Sequence, residues 1–377
     1  MTSRTANMAF AFTDEQAMIL DSAKSFCADK SDIGTVRSLI ASDNGYNQQV
    51  WSEMVELGWT GIAIPEQYGG SELGIGSTVA LIESMGRHLL STPYIATTLA
   101  SQAILRGGSD QHKTHWLPQV AEGSIGTLAL LDNEDWGAIT TSCNLSESGD
   151  KLILEGSKLL VSDAAVADFF IVSANHNGAQ VLVLVAASSL SPDALSRKVL
   201  IDETKRACTV NFSGVEVTPN DILPQSETAL RDIKLIGALL IAAESTGTCA
   251  ATLDTVVSYL TSRIQFGRLI GSYQALKHPT VDILIQMDSA RSLIYHAATV
   301  ISLQPLDQDA EIACRMAKAQ ATEALLFAGD RAIQFHGGMG FTYDCDAQLF
   351  LRRALGSQHQ YGDAQHHRLH LAGLLLD

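Results

Sequence analysis

The spacing of apolar residues changes twice along this chain of 377 residues. Over residues 12–122 they recur every three or four positions, as in Met18, Ile19, Ala23 and Phe26 and again in Val79, Ile82, Met85 and Leu89. That period places them on one face of a helix and predicts a helical region. The run Ile64-Pro65-Glu66-Gln67-Tyr68-Gly69-Gly70 interrupts it, since proline lacks the amide a helix uses and paired glycines favour a loop. Over residues 126–221 the period shortens toward two and β-branched residues increase, with a turn at Ser148-Gly149-Asp150. Strands are predicted at 151–155, 169–174 and 180–185, the last two almost wholly apolar. From Ser226 the helical period returns in long Ala-rich segments at 233–264, 278–303 and 310–336. Alanine and leucine are the best helix formers, and stripes this wide predict helices buried on several sides.

The pattern predicts an α+β fold in three parts: an N-terminal helical domain (1–122), a small central β-domain (123–225) and a C-terminal four-helix bundle (226–377). No internal repeat or low-complexity tract is present.

Composition narrows the function. With 46% apolar and 18% charged residues the chain is globular, and 25 Lys plus Arg against 41 Asp plus Glu give a net charge of -16. Such an acidic balance disfavours nucleic acid as a partner. The longest apolar run, 235–243, is too short for the ~20 residues a membrane span requires, so a soluble, cytoplasmic protein is expected. Cys27, Cys143, Cys208, Cys249, Cys314 and Cys345 show no C-x-x-C spacing, which argues against a zinc site or a disulfide framework. His366 and His370 are spaced to share a metal, but with no Cys near they read as surface histidines, and no metal is expected. Arg352-Arg353 reads as a salt-bridged helix face, and residues 132–135 as a solvated acidic turn.

Two segments carry the candidate chemistry: Arg263-Ile264-Gln265-Phe266-Gly267 and Gln334-Phe335-His336-Gly337-Gly338-Met339-Gly340. An arginine offers forked donors to a pyrophosphate, and a glycine pair lets backbone N–H groups approach it closely. Together with Phe12-Thr13-Asp14-Glu15-Gln16, in which Thr13 is placed to cap the first helix, with Leu57-Gly58-Trp59 before the Pro65 loop, and with Gln274-Ala275-Leu276-Lys277-His278, they make the chain resemble the acyl-CoA dehydrogenase family along essentially its whole length. The resemblance implies FAD as cofactor, an acyl-CoA substrate, an electron-transfer flavoprotein or similar acceptor, and a tetramer of identical or paralogous subunits. It further implies that Arg263, Gln265, Phe266, Gln274, Gln334, Gly337 and Gly338 contact the flavin nucleotide of a neighbouring subunit, and that Ser162 is a hydroxyl of the flavin platform.

The chain departs from the family where the family keeps its base, the carboxylate that removes the α-proton while the β-hydrogen leaves as hydride to the flavin. One such position falls on Tyr361 and the other on Gly237, neither of which is a base at neutral pH. Two substitutes are available. Glu244 lies seven residues after Gly237 on the same helix face, where its alternative role is pairing with an arginine. Asp363 lies two residues after Tyr361, where its alternative role is capping the next helix. The flavin-covering stretch reads Leu130-Leu131-Asp132-Asn133-Glu134-Asp135-Trp136, and the platform motif reads Leu160-Val161-Ser162-Asp163 without its indole. Intact groups for a neighbour's FAD beside an eroded site of its own suggest one chain of a heteromeric enzyme, resembling bacterial enzymes for steroid side chains and other bulky CoA esters. A self-sufficient homo-oligomer using Glu244 or Asp363, and a flavin-free relic of the fold, are the alternatives.

Overall fold

The computed structural model describes residues 14–136, 141–149, 151–301 and 305–376. Thr13, expected to cap the first helix, lies outside them, as does Asp150 of the expected turn. Six helices open the chain: α1 (Asp14–Lys30), α2 (Ile33–Ile40), α3 (Gln48–Glu56), α4 (Thr78–Arg87), α5 (Tyr94–Gly107) and α6 (Asp110–Ala121). Polar caps set several starts, with Asp32 accepting from the Thr35 amide and Asn47 from the Gln49 amide.

Among the described residues nine strands follow: β1 (Gly126–Ala129), β2 (Asn144–Ser148), β3 (Lys151–Glu155), β4 (Ser157–Ser162), β5 (Phe169–His176), β6 (Ala179–Ala186), β7 (Leu195–Arg197), β8 (Ala207–Asn211) and β9 (Val215–Val217). One sheet runs β1-β5-β2-β3-β9 with β6 paired to β5, and a second runs β4-β8-β7. The apolar run of β5 is explained by burial of both its faces. Phe169 and Ile171 pack into the helical core, while Phe170 and Val172 point into the core between the sheets.

The turn expected to be solvated at 132–135 has an anchor role instead. The Nζ of Lys158, wholly buried in the β-domain, donates to Asp132 Oδ1 at 2.9 Å, Thr141 Oγ1 at 2.7 Å and Ser173 Oγ at 2.9 Å. A buried ammonium requires such partners, and Asp132 neutralises it.

The C-terminal part holds α7 (Ser226–Ser262), a two-stranded hairpin of β10 (Ile264–Gln265) and β11 (Arg268–Leu269), α8 (Gln274–Val300), α9 (Gln308–His336), α10 (Ala347–Ser357) and α11 (Ala364–Leu376). The long helices α7, α8 and α9 pack on one another, with α10 against α7 and α9. Helix α7 is the axis of the molecule. It is long and apolar enough to cross a membrane, yet its most apolar stretch is entirely buried inside the protein. Backbones touch where α4 crosses it: a Cβ on Gly247 would lie 1.8 Å from the Glu83 carbonyl oxygen, and one on Gly86 would lie 2.1 Å from that of Glu244. Only glycine permits that approach, and it fixes the depth at which Glu244 sits.

Candidate functional site

Two recesses hold the residues singled out by the sequence. The first is an open groove of about 980 Å³ between the end of α7, the β10–β11 hairpin and the end of α9. Arg263, Gln265, Phe266, Gly337 and Gly338 all line it, whereas Gln274 and Gln334 are exposed and are not among the groove residues. Arg263 ends α7 in an extended conformation (φ -77, ψ 128), so the helix expected to run through 264 stops there. The chain then reverses in a tight turn with Phe266 at φ 53 and Gly267 at φ 77. Phe266, 91% exposed, projects from that turn.

The guanidinium of Arg263 pairs with no carboxylate among the described residues. Gly337 leaves α9 at φ 61, and a Cβ on Gly338 would meet no atom within 4 Å. Nothing among the described residues therefore demands a glycine at 338. A side chain there is disfavoured only if something approaches from outside. Unpaired forked donors beside an unobstructed glycine turn fit the pyrophosphate of a dinucleotide cofactor.

The second recess is a cleft of about 430 Å³ between α5, β1, the end of β4, the β7–β8 connection, α7 and the turn after α10. Ser162, Asp163, Glu244 and Tyr361 line it. Here the sequence-level candidates are committed elsewhere. Glu244 is 2% exposed and forms ion pairs with Arg353 at 3.0 Å and with Lys205. Burial alone would raise its pKa, but the charges of Arg353 and Lys205 outweigh burial and hold the carboxyl below its ordinary value. A base kept so weak, with its Oε1 already held by two cations, is poorly suited to removing a proton. Arg353, expected on a salt-bridged helix face, is ion-paired but buried: it is 1% exposed, also pairs with Asp202 and donates to Thr204 Oγ1 at 2.6 Å. The sequence allowed Glu244 an arginine partner but not which one, nor the rest of this network, because its members come from α7, the β7–β8 connection and α10.

Asp363 is a cap: its Oδ1 accepts from the His366 amide at 2.8 Å as α11 begins, and it is not among the cleft residues.

The two positions where the family's base was sought meet each other. Tyr361 has φ 57, its ring packs at a tilt of 47° against Trp136 with centroids 4.5 Å apart, and burial pushes its hydroxyl pKa up. A Cβ on Gly237 would lie 2.6 Å from the Tyr361 ring. The ring thus occupies the space into which a side chain at 237 would project. Lys318 fixes the turn that delivers Tyr361. Its wholly buried Nζ donates to the carbonyls of Ser357 at 3.2 Å, Gln358 at 3.1 Å and Gly362 at 2.9 Å.

Residues 13–124 match the acyl-CoA dehydrogenase N-terminal domain and residues 235–376 its C-terminal domain. The chain belongs to the acyl-CoA dehydrogenase family. It is 28% identical to acyl-CoA dehydrogenase IpdE2 of Mycolicibacterium smegmatis over 93% of this chain and 95% of that protein. It is 29% identical to IpdE2 of Mycobacterium tuberculosis over 91% and 92%. Among solved structures, a variant of the Tcur3481-Tcur3483 steroid acyl-CoA dehydrogenase superposes with a TM-score of 0.84 at 25% identity, covering 96% of this chain and 98% of that one. The ChsE4-ChsE5 complex of Mycobacterium tuberculosis shares the fold, with a TM-score of 0.87 at 22% identity over 98% and 99%. Acyl-CoA dehydrogenases are oxidoreductases acting on CH–CH bonds of acyl-CoA esters with FAD, and this is the activity class and cofactor of the chain.

Proposed function

We propose that this chain is the base-lacking, FAD-clamping subunit of a heteromeric acyl-CoA dehydrogenase. One observation carries the reading: Tyr361 fills the space beside Gly237, so the two places at which the family keeps its carboxylate exclude one another. A paralogous chain supplies the carboxylate that takes the α-proton. FAD, when bound, supplies the hydride acceptor. This chain's own share is to bind and orient. Arg263 would offer forked donors to the pyrophosphate and the open glycine turn at Gly337–Gly338 would admit its close approach, with Phe266 on the rim of the groove.

The likeness to a solved steroid acyl-CoA dehydrogenase supports a bulky acyl-CoA as substrate, and the ChsE4-ChsE5 complex supports assembly with a second chain. We further infer a cytoplasmic heterotetramer that passes electrons to an electron-transfer flavoprotein or similar acceptor. The self-sufficient reading is weakened by the commitments of Glu244 to Arg353 and Lys205 and of Asp363 to α11.

Co-expression with a paralogue carrying the missing carboxylate tests the proposal. Flavin absorbance and desaturation of an acyl-CoA are expected from the pair, and neither from this chain alone. A fully flavin-loaded, active homotetramer of this chain would refute it, and a pair that stays colourless would favour a flavin-free relic.

A further inference from the structure

A third recess lies apart from the groove and the cleft and shares no wall residue with either. It is a hollow of about 310 Å³ where α6 of the helical domain meets the end of β6, β9 and the short turn Pro219–Asp221 of the β-domain. Its floor is apolar, made by the buried side chains of Leu184 on β6 and Val217 on β9.

The α6 side offers hydrogen-bond donors that the fold does not use. His112 and Trp116 are four residues apart on α6, so they share the helix face that forms this wall. His112 is only 7% exposed. Its Nδ1 accepts from the Ser109 amide at 3.1 Å and closes the capping box that starts α6. A ring nitrogen that accepts carries no proton, so the neutral imidazole keeps its proton on Nε2, the nitrogen turned away from the cap. That Nε2–H has no hydrogen-bond partner among the described residues, and neither has the indole N–H of Trp116. The indole is held in place from the core side by Phe169, with ring centroids 4.6 Å apart. Polar groups this buried are ordinarily hydrogen-bonded, so a donor left open at the wall of a hollow points to an acceptor from outside the chain.

The β-domain side is acidic. Glu216 of β9 and Asp221 stand there, each with one oxygen committed: Glu216 Oε2 pairs with Lys151, and Asp221 Oδ2 accepts from the amide and the hydroxyl of Thr218. The second oxygen of each has no partner among the described residues. Donors on one wall, carboxylates on the other and an apolar floor between them suit a ligand with the reverse arrangement. A simple anion would be repelled by the two carboxylates, and a simple cation would leave the two N–H groups unpaired. A small zwitterion satisfies both walls, and about 310 Å³ lies at the lower end of the range usual for ligand pockets.

We propose that this hollow binds an apolar α-amino acid, its carboxylate accepting from His112 Nε2 and Trp116 Nε1 and its ammonium pairing with Glu216 and Asp221. The site stands outside both the cofactor groove and the cleft, so it is independent of the heteromer reading, and either can fail without the other.

The test is isothermal titration of the purified full-length chain with L-leucine, beside isocaproate, which lacks the ammonium, and isoamylamine, which lacks the carboxylate. Leucine should bind with a Kd of about 1 mM or tighter, the scale of a few charge-assisted hydrogen bonds. Each truncated probe should bind roughly tenfold or more weakly, having lost one charged end. His112→Gln keeps both the capping box and an N–H donor and should hold leucine within about threefold of the unmodified chain. His112→Glu keeps the capping box without a donor, so leucine should weaken roughly tenfold or more while isoamylamine does not weaken. Should the His112 variants fail to fold, Asp221→Asn, which keeps an acceptor for Thr218, should weaken leucine and strengthen isocaproate. Leucine that does not bind at about 10 mM, tenfold above the expected Kd, would overturn the proposal. So would truncated probes that bind as well as leucine, or leucine binding indifferent to His112→Glu and to Asp221→Asn.

Discussion

The groove and the cleft differ in how their polar groups are used. In the groove, Arg263 has no carboxylate partner among the described residues, Gly338 faces open space and Phe266 stands in solvent. In the cleft, Glu244 is ion-paired, and Tyr361 is wedged against Gly237 and Trp136. Groups held ready for a ligand are costly unless the ligand arrives, because unpaired donors and exposed aromatics add little to folding. Groups locked by neighbours add to folding and lose their freedom to react. The contrast teaches that substitutions in the cleft should report on stability, and substitutions in the groove on cofactor retention.

The largest expected effect lies in the buried charges. Arg353→Met would leave Asp202 and Glu244 short of their main counter-charge and should lower stability by about 3–5 kcal/mol, read from urea unfolding. Gly237→Ala comes next. Its Cβ meets the Tyr361 ring, so a loss of about 1–3 kcal/mol is expected, which a Tyr361→Ala background should abolish or reverse, since alanine is the better helix former. An additive double-mutant cycle would break the idea that the two positions interlock.

Acid should dissolve the same network. The folded-state pKa values of Asp202 and Glu244 are lowered, so their contribution is complete above the ordinary values of 3.8 and 4.5 and is lost as pH falls through the folded values. Glu244→Gln should accordingly flatten the fall in stability below those ordinary values, measured by urea unfolding across an acid series. The smallest effect on the fold is expected from Gly338→Ala, within about 0.5 kcal/mol. In the assembled enzyme the same change should release FAD, seen as lost flavin absorbance after gel filtration. A Gly338→Ala protein that keeps its flavin would erase the distinction between the two regions.

What could be read in the sequence was local. The helical period found α7, α8 and α9, and the near-continuous apolar runs found β5 and β6, because each pattern lies within one element. The groove residues were legible for the same reason: Arg263 to Gly267 and Gly337–Gly338 are short consecutive motifs at helix ends. The helix stop at Arg263 was not legible, since no proline marks it and the reversal depends on Phe266 adopting a positive φ. Nor were the partners of Lys158, Lys318 and Arg353, which join residues far apart in sequence and are set by tertiary packing.

The interlock of Gly237 with Tyr361 also bears on how a carboxylate could be placed in the cleft. Placing a glutamate at 237 requires the phenol to leave, and removing the phenol alone uncovers a hole beside Trp136. A carboxylate can therefore enter at 237 only by way of a less stable intermediate.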